Sequence, residues 1–199
     1  MQGRAGCANV AGMKLLACLL ALCTPGLAQA GPAVYLIDAE HSFVHFEVLH
    51  FGTSTLRGRF GALDGHVELD RAAGRGAVSL RIDTAGVDTG MPAFDARLRQ
   101  GDLLVSEAHP RAYFVATSFS FDGPKVSAVR GELTLRGISQ GLELRALRFG
   151  CHTHPLLQRE VCGGDFEGEL RRGDFGASFG MPFVANRVRL LVQVEGIRQ

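Results

Sequence analysis

Three histidines and a glutamate crowd one stretch, His41-Ser42-Phe43-Val44-His45-Phe46-Glu47-Val48-Leu49-His50. Imidazole and carboxylate at short range suit metal binding or proton transfer. Spacing argues against both. The zinc-protease helix motif places its histidines four apart with a glutamate between them. His45 and His50 are five apart, about 140° out of phase on a helix of 3.6 residues per turn. The run alternates and is rich in Val and Phe, which favours a strand. His41 and His45 then share a face but lie roughly 13 Å apart at 3.3 Å per residue, too far for one zinc. His50 falls on the opposite face with Val44, Phe46 and Val48, where it is either a core histidine bonded to backbone or a polar contact for a ligand's head group.

A second cluster lies late in the chain. Cys151, His152, His154 and Cys162 can be drawn as a zinc site, or the two cysteines can form a disulfide. Zinc motifs pair cysteines at shorter spacing, whereas two nearby cysteines in an exported chain predict a disulfide. A metal-assisted hydrolase using His41, His45 or His152 and His154 is the rival functional reading. No Gly-x-Ser-x-Gly nucleophile elbow is present. No glycine-rich loop leads from a strand into a long helix, so nucleotide binding has no support.

The elements that position these residues are strands. Val44, Phe46 and Val48 alternate with Phe43, His45 and Glu47; Val78, Leu80 and Ile82 with Ser79, Arg81 and Asp83; Leu133 and Leu135 with Glu132, Thr134 and Arg136. Leu142 and Leu144, then Val188, Leu190, Val192 and Val194, repeat the pattern. Alternation of this kind describes antiparallel strands with one dry face and one wet face. Turn signals such as Leu63-Asp64-Gly65, Asp122-Gly123-Pro124 and Arg136-Gly137 separate them. About eight such strands suit a small closed barrel. Residues 92–98, with Pro92 at the start, predict a short helix, and residues 102–108, ending at His109-Pro110, predict a second. Thirteen Phe and no Trp serve the dry face. A barrel of this size either encloses a ligand or fills its interior and acts through surface interactions.

The front of the chain reads as a targeting segment. Arg4 and Lys14 are its only charges; Leu15 to Leu22 is apolar; Leu27-Ala28-Gln29-Ala30 ends in an Ala-x-Ala site. The apolar run is too short for the roughly 20 residues that span a bilayer. Export to the periplasm with cleavage after Ala30 is expected. Met13-Lys14 is a more typical start for such a segment than Met1, which makes residues 1–12 an upstream extension. Cys18 and Cys23 loosely resemble lipidation sites, but Cys18 comes early in the apolar run and Cys23 follows a bulky Leu. Removing Arg4 and Lys14 leaves nineteen of the twenty-one basic residues against twenty acidic ones. No basic patch suggests nucleic acid, nothing after residue 30 resembles a membrane span, and nothing distinguishes a monomer from a homodimer.

These residues together resemble the YceI-like family. Tyr35-x-Ile37-Asp38-x-x-His41-Ser42-x-Val44-x-Phe46-x-Val48-x-His50-x-Gly52, followed by Arg57-Gly58-Arg59-Phe60, is similar to its opening block. Leu98-x-x-x-Asp102-Leu103, His109-Pro110 and Tyr113-Phe114 resemble its helical insertion and next strand. Val129-x-Gly131-Glu132-Leu133-Thr134-Leu135-x-Gly137 resembles its central hairpin, and Arg172-Gly173-Asp174-Phe175-Gly176 its late motif, with Gly173 where the family has Ser. The resemblance implies an all-β fold, an eight-stranded antiparallel lipocalin-like barrel with a short helical insertion around residues 92–108. It also implies a long internal cavity for a polyisoprenoid, an isoprenoid quinone or a related amphiphile, with no cofactor and no catalytic residues. Alternation and resemblance together mark Val44, Phe46, Val48, Val78, Leu80, Ile82, Leu133, Leu135, Leu190 and Val192 as the expected ligand-binding lining. His50 and Arg57 are the expected contacts for a head group.

Overall fold

The computed structural model describes residues 31–61 and 63–199. The expected targeting segment, with cleavage after Ala30, lies outside the described residues. The structure is a closed antiparallel barrel of eight staves. Three staves are bent into two strands each: β1 (Ala33–Ile37) with β2 (Phe43–His50), β3 (Ser54–Phe60) with β4 (Asp64–Asp70), and β5 (Arg75–Asp83) with β6 (Val87–Asp88). The others are single strands: β7 (Arg111–Asp122), β8 (Lys125–Leu135), β9 (Ile138–Thr153), β10 (Glu160–Arg171) and β11 (Val184–Arg198). Each stave pairs with the next in chain order, and β11 closes the cylinder on both β1 and β2. A meander of this kind needs only tight hairpins, as at Arg136-Gly137, where both residues have positive φ (55° and 73°) and join β8 to β9.

The bend between β1 and β2 interrupts pairing opposite Glu195. Ser42, wholly buried, fills the gap: its Oγ donates to the Glu195 carbonyl (3.3 Å) and accepts from the Glu195 N–H (3.1 Å). The Asp38 N–H donates to the same carbonyl at 2.9 Å. A hydroxyl thus replaces a peptide unit and leaves no orphaned ladder group at the seam.

The predicted alternation is realised around the ring. Leu80, Phe114, Leu133, Leu144, Phe166 and Leu190 point inward and are buried, each worth about 1.5–3 kcal/mol of burial. Outward positions are charged and pair across strands. Arg57 on β3 bonds Glu47 on β2 (2.8 Å), Glu47 meets Arg189 on β11 (3.2 Å), Arg189 meets Glu167 on β10 (2.9 Å), and Glu167 pairs with Arg145 on β9. Exposed pairs contribute at most about 1 kcal/mol each, so this belt orients strands more than it stabilises them. A barrel facing lipid carries apolar side chains there instead.

The predicted helix over residues 92–98 is α1 (Pro92–Leu98), with Pro92 in its first turn, where a missing N–H costs nothing. The expected second helix over 102–108 does not form. Gly101 follows α1, and the N–H groups of Leu104, Val105 and Ser106 turn back onto the carbonyls of Leu98, Gln100 and Arg99. Val105 takes a left-handed conformation (φ 53°). The result is a compact turn that stacks Leu103 and Leu104 beside Leu98.

At the other end of the barrel, Cys151 on β9 and Cys162 on β10 are paired residues and form the expected disulfide. Beside it, the buried Tyr35 hydroxyl donates to Glu160 Oε1 (2.5 Å) and Arg71 donates to Glu160 Oε2 (2.6 Å). Arg198 approaches at 3.6 Å. Burial by itself would raise the Glu160 carboxyl, but the hydrogen bond from Tyr35 and the charge of Arg71 outweigh it and hold it below the usual carboxylate range. Burial, then the bond to Glu160, pushes the Tyr35 phenol up.

Two outcomes follow at this end. Closing the short Cys151–Cys162 loop is worth about 2–3 kcal/mol in the chain-entropy model, so dithiol reduction is expected to lower the unfolding free energy by that amount, read as a fall in the denaturant midpoint at unchanged slope. Glu160 has a lower pKa folded than unfolded, so its stabilisation is present at neutral pH and lost as pH falls through the carboxylate range. Denaturant titrations from pH 7 to about pH 3 are expected to show a shallower loss of stability for Glu160→Gln than for the wild-type chain, the other paired carboxylates keeping part of the slope in both.

Candidate ligand cavity

The barrel interior holds two apolar cavities end to end. The larger, about 160 Å³, lies at the α1 end, among Phe46, Phe60, Ala112, Leu135, Leu170 and Val188 and their neighbours. The smaller, about 70 Å³, lies at the disulfide end, narrowed by Tyr35, Phe119, Phe149 and Phe166. Successive inward positions belong to one cavity and then the other: Ile82 and Leu80 on β5, Ala112 and Phe114 on β7, Leu190 and Val192 on β11. Only the side chains at mid-barrel divide them. A long continuous cavity was expected from the resemblance; the structure has two chambers, with the division between Ile82 and Leu80, Ala112 and Phe114, and Leu190 and Val192.

Close approach shapes the larger chamber. A Cβ at Gly58 would lie 2.4 Å from the Phe46 ring, so glycine there lets the ring lie flat against β3. The chamber's roof is the α1 segment, through Leu98, Leu103 and Leu104. That roof is tied down at several points. Thr84 bonds the His109 carbonyl (2.8 Å), Arg136 bonds the Leu103 carbonyl, and Arg97 pairs with Asp102 at 2.6 Å while lying 4.0 Å over the Phe179 ring.

All ten strand residues expected to line a cavity do line one. Val44, Phe46, Val48, Ile82, Leu133, Leu135 and Leu190 face the larger chamber; Val78, Leu80 and Val192 face the smaller. The two expected head-group contacts lie elsewhere. Arg57 follows the outward phase of β3 and is paired with Glu47. His50 ends β2 beyond the chamber, its ring edge-on to Phe51 at 4.7 Å. Arg172 borders the larger chamber with its carbon stem, its guanidinium turned to backbone carbonyls. It occupies the inward register after Phe166, Gly168 and Leu170, so strict alternation along β10 pointed to it.

Arg172 starts a single 3₁₀ turn (Arg172–Phe175) after β10 and is buried, 7% exposed. Its Nε donates to the Ala185 carbonyl (2.8 Å), Nη1 to Ala177 (2.7 Å) and Phe179 (2.8 Å), and Nη2 to Val184 (2.8 Å). These bonds fold the 176–185 segment across the barrel mouth. Burial lowers its pKa from the ordinary value, but a guanidinium keeps its proton in proteins.

Among the described residues, no two histidines come together in one cluster of possible metal ligands. His41 Nδ1 lies 2.8 Å from Asp38 Oδ2 in an exposed pair, and that hydrogen bond raises the imidazole pKa. His154 Nδ1 accepts from the Leu156 and Leu157 N–H groups in the β9–β10 turn. Among the described residues, Cys151, Glu160 and Cys162 are close enough for one ion, but the sulfurs are bonded to each other. Asp38, His41 and Glu195 form the other such group, on the surface.

Comparison with known proteins agrees with this geometry. The model of the YceI-like domain matches residues 35–196. Protein YceI of Escherichia coli O157:H7 is 34% identical over 177 residues, covering 86% of this chain and 92% of that protein. The crystal structure of Burkholderia cenocepacia BcnA superposes with a TM-score of 0.65 at 20% identity, covering 80% of this chain and 98% of BcnA. A polyisoprenoid-binding domain from Saccharophagus degradans, implicated in plant cell wall breakdown, has a TM-score of 0.56 at 17% identity, covering 83% of this chain and 98% of that domain. With its matched residues, its eight-stave barrel and its helical roof, this chain belongs to the YceI-like family.

Proposed function

We propose that this chain is a non-catalytic binding or carrier protein for a long apolar ligand, a polyisoprenoid or isoprenoid quinone, held inside the barrel in the periplasm. The carrying observation is the pair of apolar chambers aligned along the barrel axis, enclosed by a charged exterior. A chamber of about 160 Å³ is comparable to the roughly 150 Å³ apolar cavity that binds benzene, so it accepts about one isoprene unit. A longer chain spans both chambers once mid-barrel side chains such as Leu80 and Phe114 change rotamer. Each buried CH₂ contributes about 0.8 kcal/mol, so affinity grows with chain length without polar contacts. The likeness to the Saccharophagus domain supports this ligand class. Export is supported by the targeting segment and by the disulfide, which persists in oxidising compartments.

Native mass spectrometry after mild purification tests the binding. Prenyl lipid is expected to co-purify with the protein or to be taken up on mixing. Ala112→Phe, which places a ring in the larger chamber, is expected to lower uptake at least about tenfold, given the several CH₂ groups it displaces, with an unchanged far-UV spectrum. Empty wild-type protein that takes up no prenyl lipid would refute the reading. Export is tested by the mass of the protein in the periplasmic fraction, expected to be that of a chain starting at Gly31; a full-length chain confined to the cytoplasm would refute it.

A further inference from the structure

Two neighbouring loops at the roofed mouth expose large apolar side chains. Phe51, in the β2–β3 turn, is 59% exposed; Phe179, Met181 and Phe183, in the segment before β11, are 51%, 38% and 63% exposed. The Phe51 and Phe183 rings stack at 5.4 Å, and the Phe51 N–H donates to the Phe183 carbonyl at 2.8 Å. Backbone and rings therefore join the two loops into one surface. None of the four side chains lines either chamber, so the interior does not account for them. Large apolar groups exposed side by side mark an interaction site.

This surface carries no charge. Residues 48–56 and 175–186 contain no Asp, Glu, Lys or Arg. The first charges beyond them are Glu47, Arg57, Asp174 and Arg187, two of each sign. Arg57 is paired with Glu47, Arg187 with Glu169, and Asp174 with Arg171 at 3.9 Å. An apolar face inside a balanced collar of paired charges fits an uncharged or zwitterionic surface, whereas a polyanion needs free cations.

The surface is also continuous with the chamber mouth. Arg172 holds the carbonyls of Ala177, Phe179 and Val184, and Ala177 lines the larger chamber. Arg97, beside the roof residue Leu98, lies 4.0 Å over the Phe179 ring. A second copy of the chain seated here would cap the mouth, whereas a bilayer would supply its apolar guest.

We propose that Phe51, Phe179, Met181 and Phe183 form a membrane-docking surface that seats the roofed mouth on a zwitterionic bilayer, with the aromatic rings at head-group depth. The proposal rests on the reading of the interior as a lipid site and adds where that lipid enters.

Flotation with phosphatidylcholine vesicles free of prenyl lipid tests docking without any ligand. The wild-type protein is expected to float with the vesicles equally at low and high salt, since no screened charge is involved. Phe51→Ser combined with Phe183→Ser is expected to weaken association about a hundredfold, about tenfold for each half-exposed ring. Leu156→Ser combined with Leu157→Ser, at the exposed β9–β10 turn of the opposite end, is expected to leave it unchanged. Wild-type protein that stays in the aqueous phase, association that needs anionic vesicles or is lost in high salt, or equal loss in both double variants overturns the proposal. A dimer in sedimentation that the Phe51→Ser, Phe183→Ser chain no longer forms gives the surface to a second copy and also overturns it. Should that variant fail to fold, wild-type flotation and its salt dependence decide alone. Uptake of geranylgeraniol separates docking from the interior site. The folded Phe51→Ser, Phe183→Ser variant is expected to take up detergent-dispersed alcohol as the wild type does, but to draw it from vesicles at least about tenfold more slowly. Equal rates from vesicles overturn the entry route. Failure of the wild type to take up the alcohol from either source refutes the interior site, and flotation still decides docking.

Discussion

Closure of β11 onto β1 and β2 is the contact on which the remaining structure depends. An open sheet of these strands would expose one wholly apolar face and two edges of unpaired peptide groups. Once β11 meets β1 at Tyr35–Ile37 and β2 at Phe43–His50, every inward side chain faces another across the axis. At the seam one bent stave serves both ends of β11. Ser42 makes the bend possible by bonding both peptide groups of Glu195. The short sequence His41-Ser42, first notable for its histidine, matters structurally for its hydroxyl.

Closure also sets the division of labour between faces. Outside, Arg57, Glu47, Arg189, Glu167 and Arg145 alternate in sign across five strands, giving each strand a preferred partner in register. Inside, no such specificity exists; apolar side chains pack by shape. A surface held by directional pairs and an interior held by non-directional ones suit a container. The wall's register is set by the outer pairs and is independent of how the interior packs. The two chambers express this, since they are separated by side chains and by no strand crossing the axis.

The ends of the barrel have unlike chemistry. The disulfide end is locked by a covalent bond and by the Tyr35–Glu160–Arg71 cluster. The other end is roofed by α1 and its turn, attached through side-chain bonds from Thr84, Arg136 and Arg97. Such bonds break singly, whereas the disulfide does not, so opening is expected at the roof. Arg172 lies under that same roof and also organises the 176–185 segment that borders it. A single buried cation thus sets the shape of the mouth through backbone carbonyls.

Much of this was legible from residue order alone. Alternation reports which face each strand residue takes, and that assigned Val44, Phe46, Val48, Val78, Leu80, Ile82, Leu133, Leu135, Leu190 and Val192 to the inside. Two nearby cysteines in a chain expected to be exported read as a disulfide, and Pro92 marked the start of α1. Where local order failed, non-local packing had decided. Residues 102–108 have helix-compatible side chains, but Leu103 and Leu104 are needed over the chamber, and a turn with Val105 left-handed delivers them. Arg57 matched a motif yet lies outside, in phase with Glu47, whereas Arg172 was read as part of a motif when its phase on β10 turned it inward. The split into two chambers has no signature in any one strand. Period-two patterning says that a side chain points to the axis, and only the facing staves determine what it meets there.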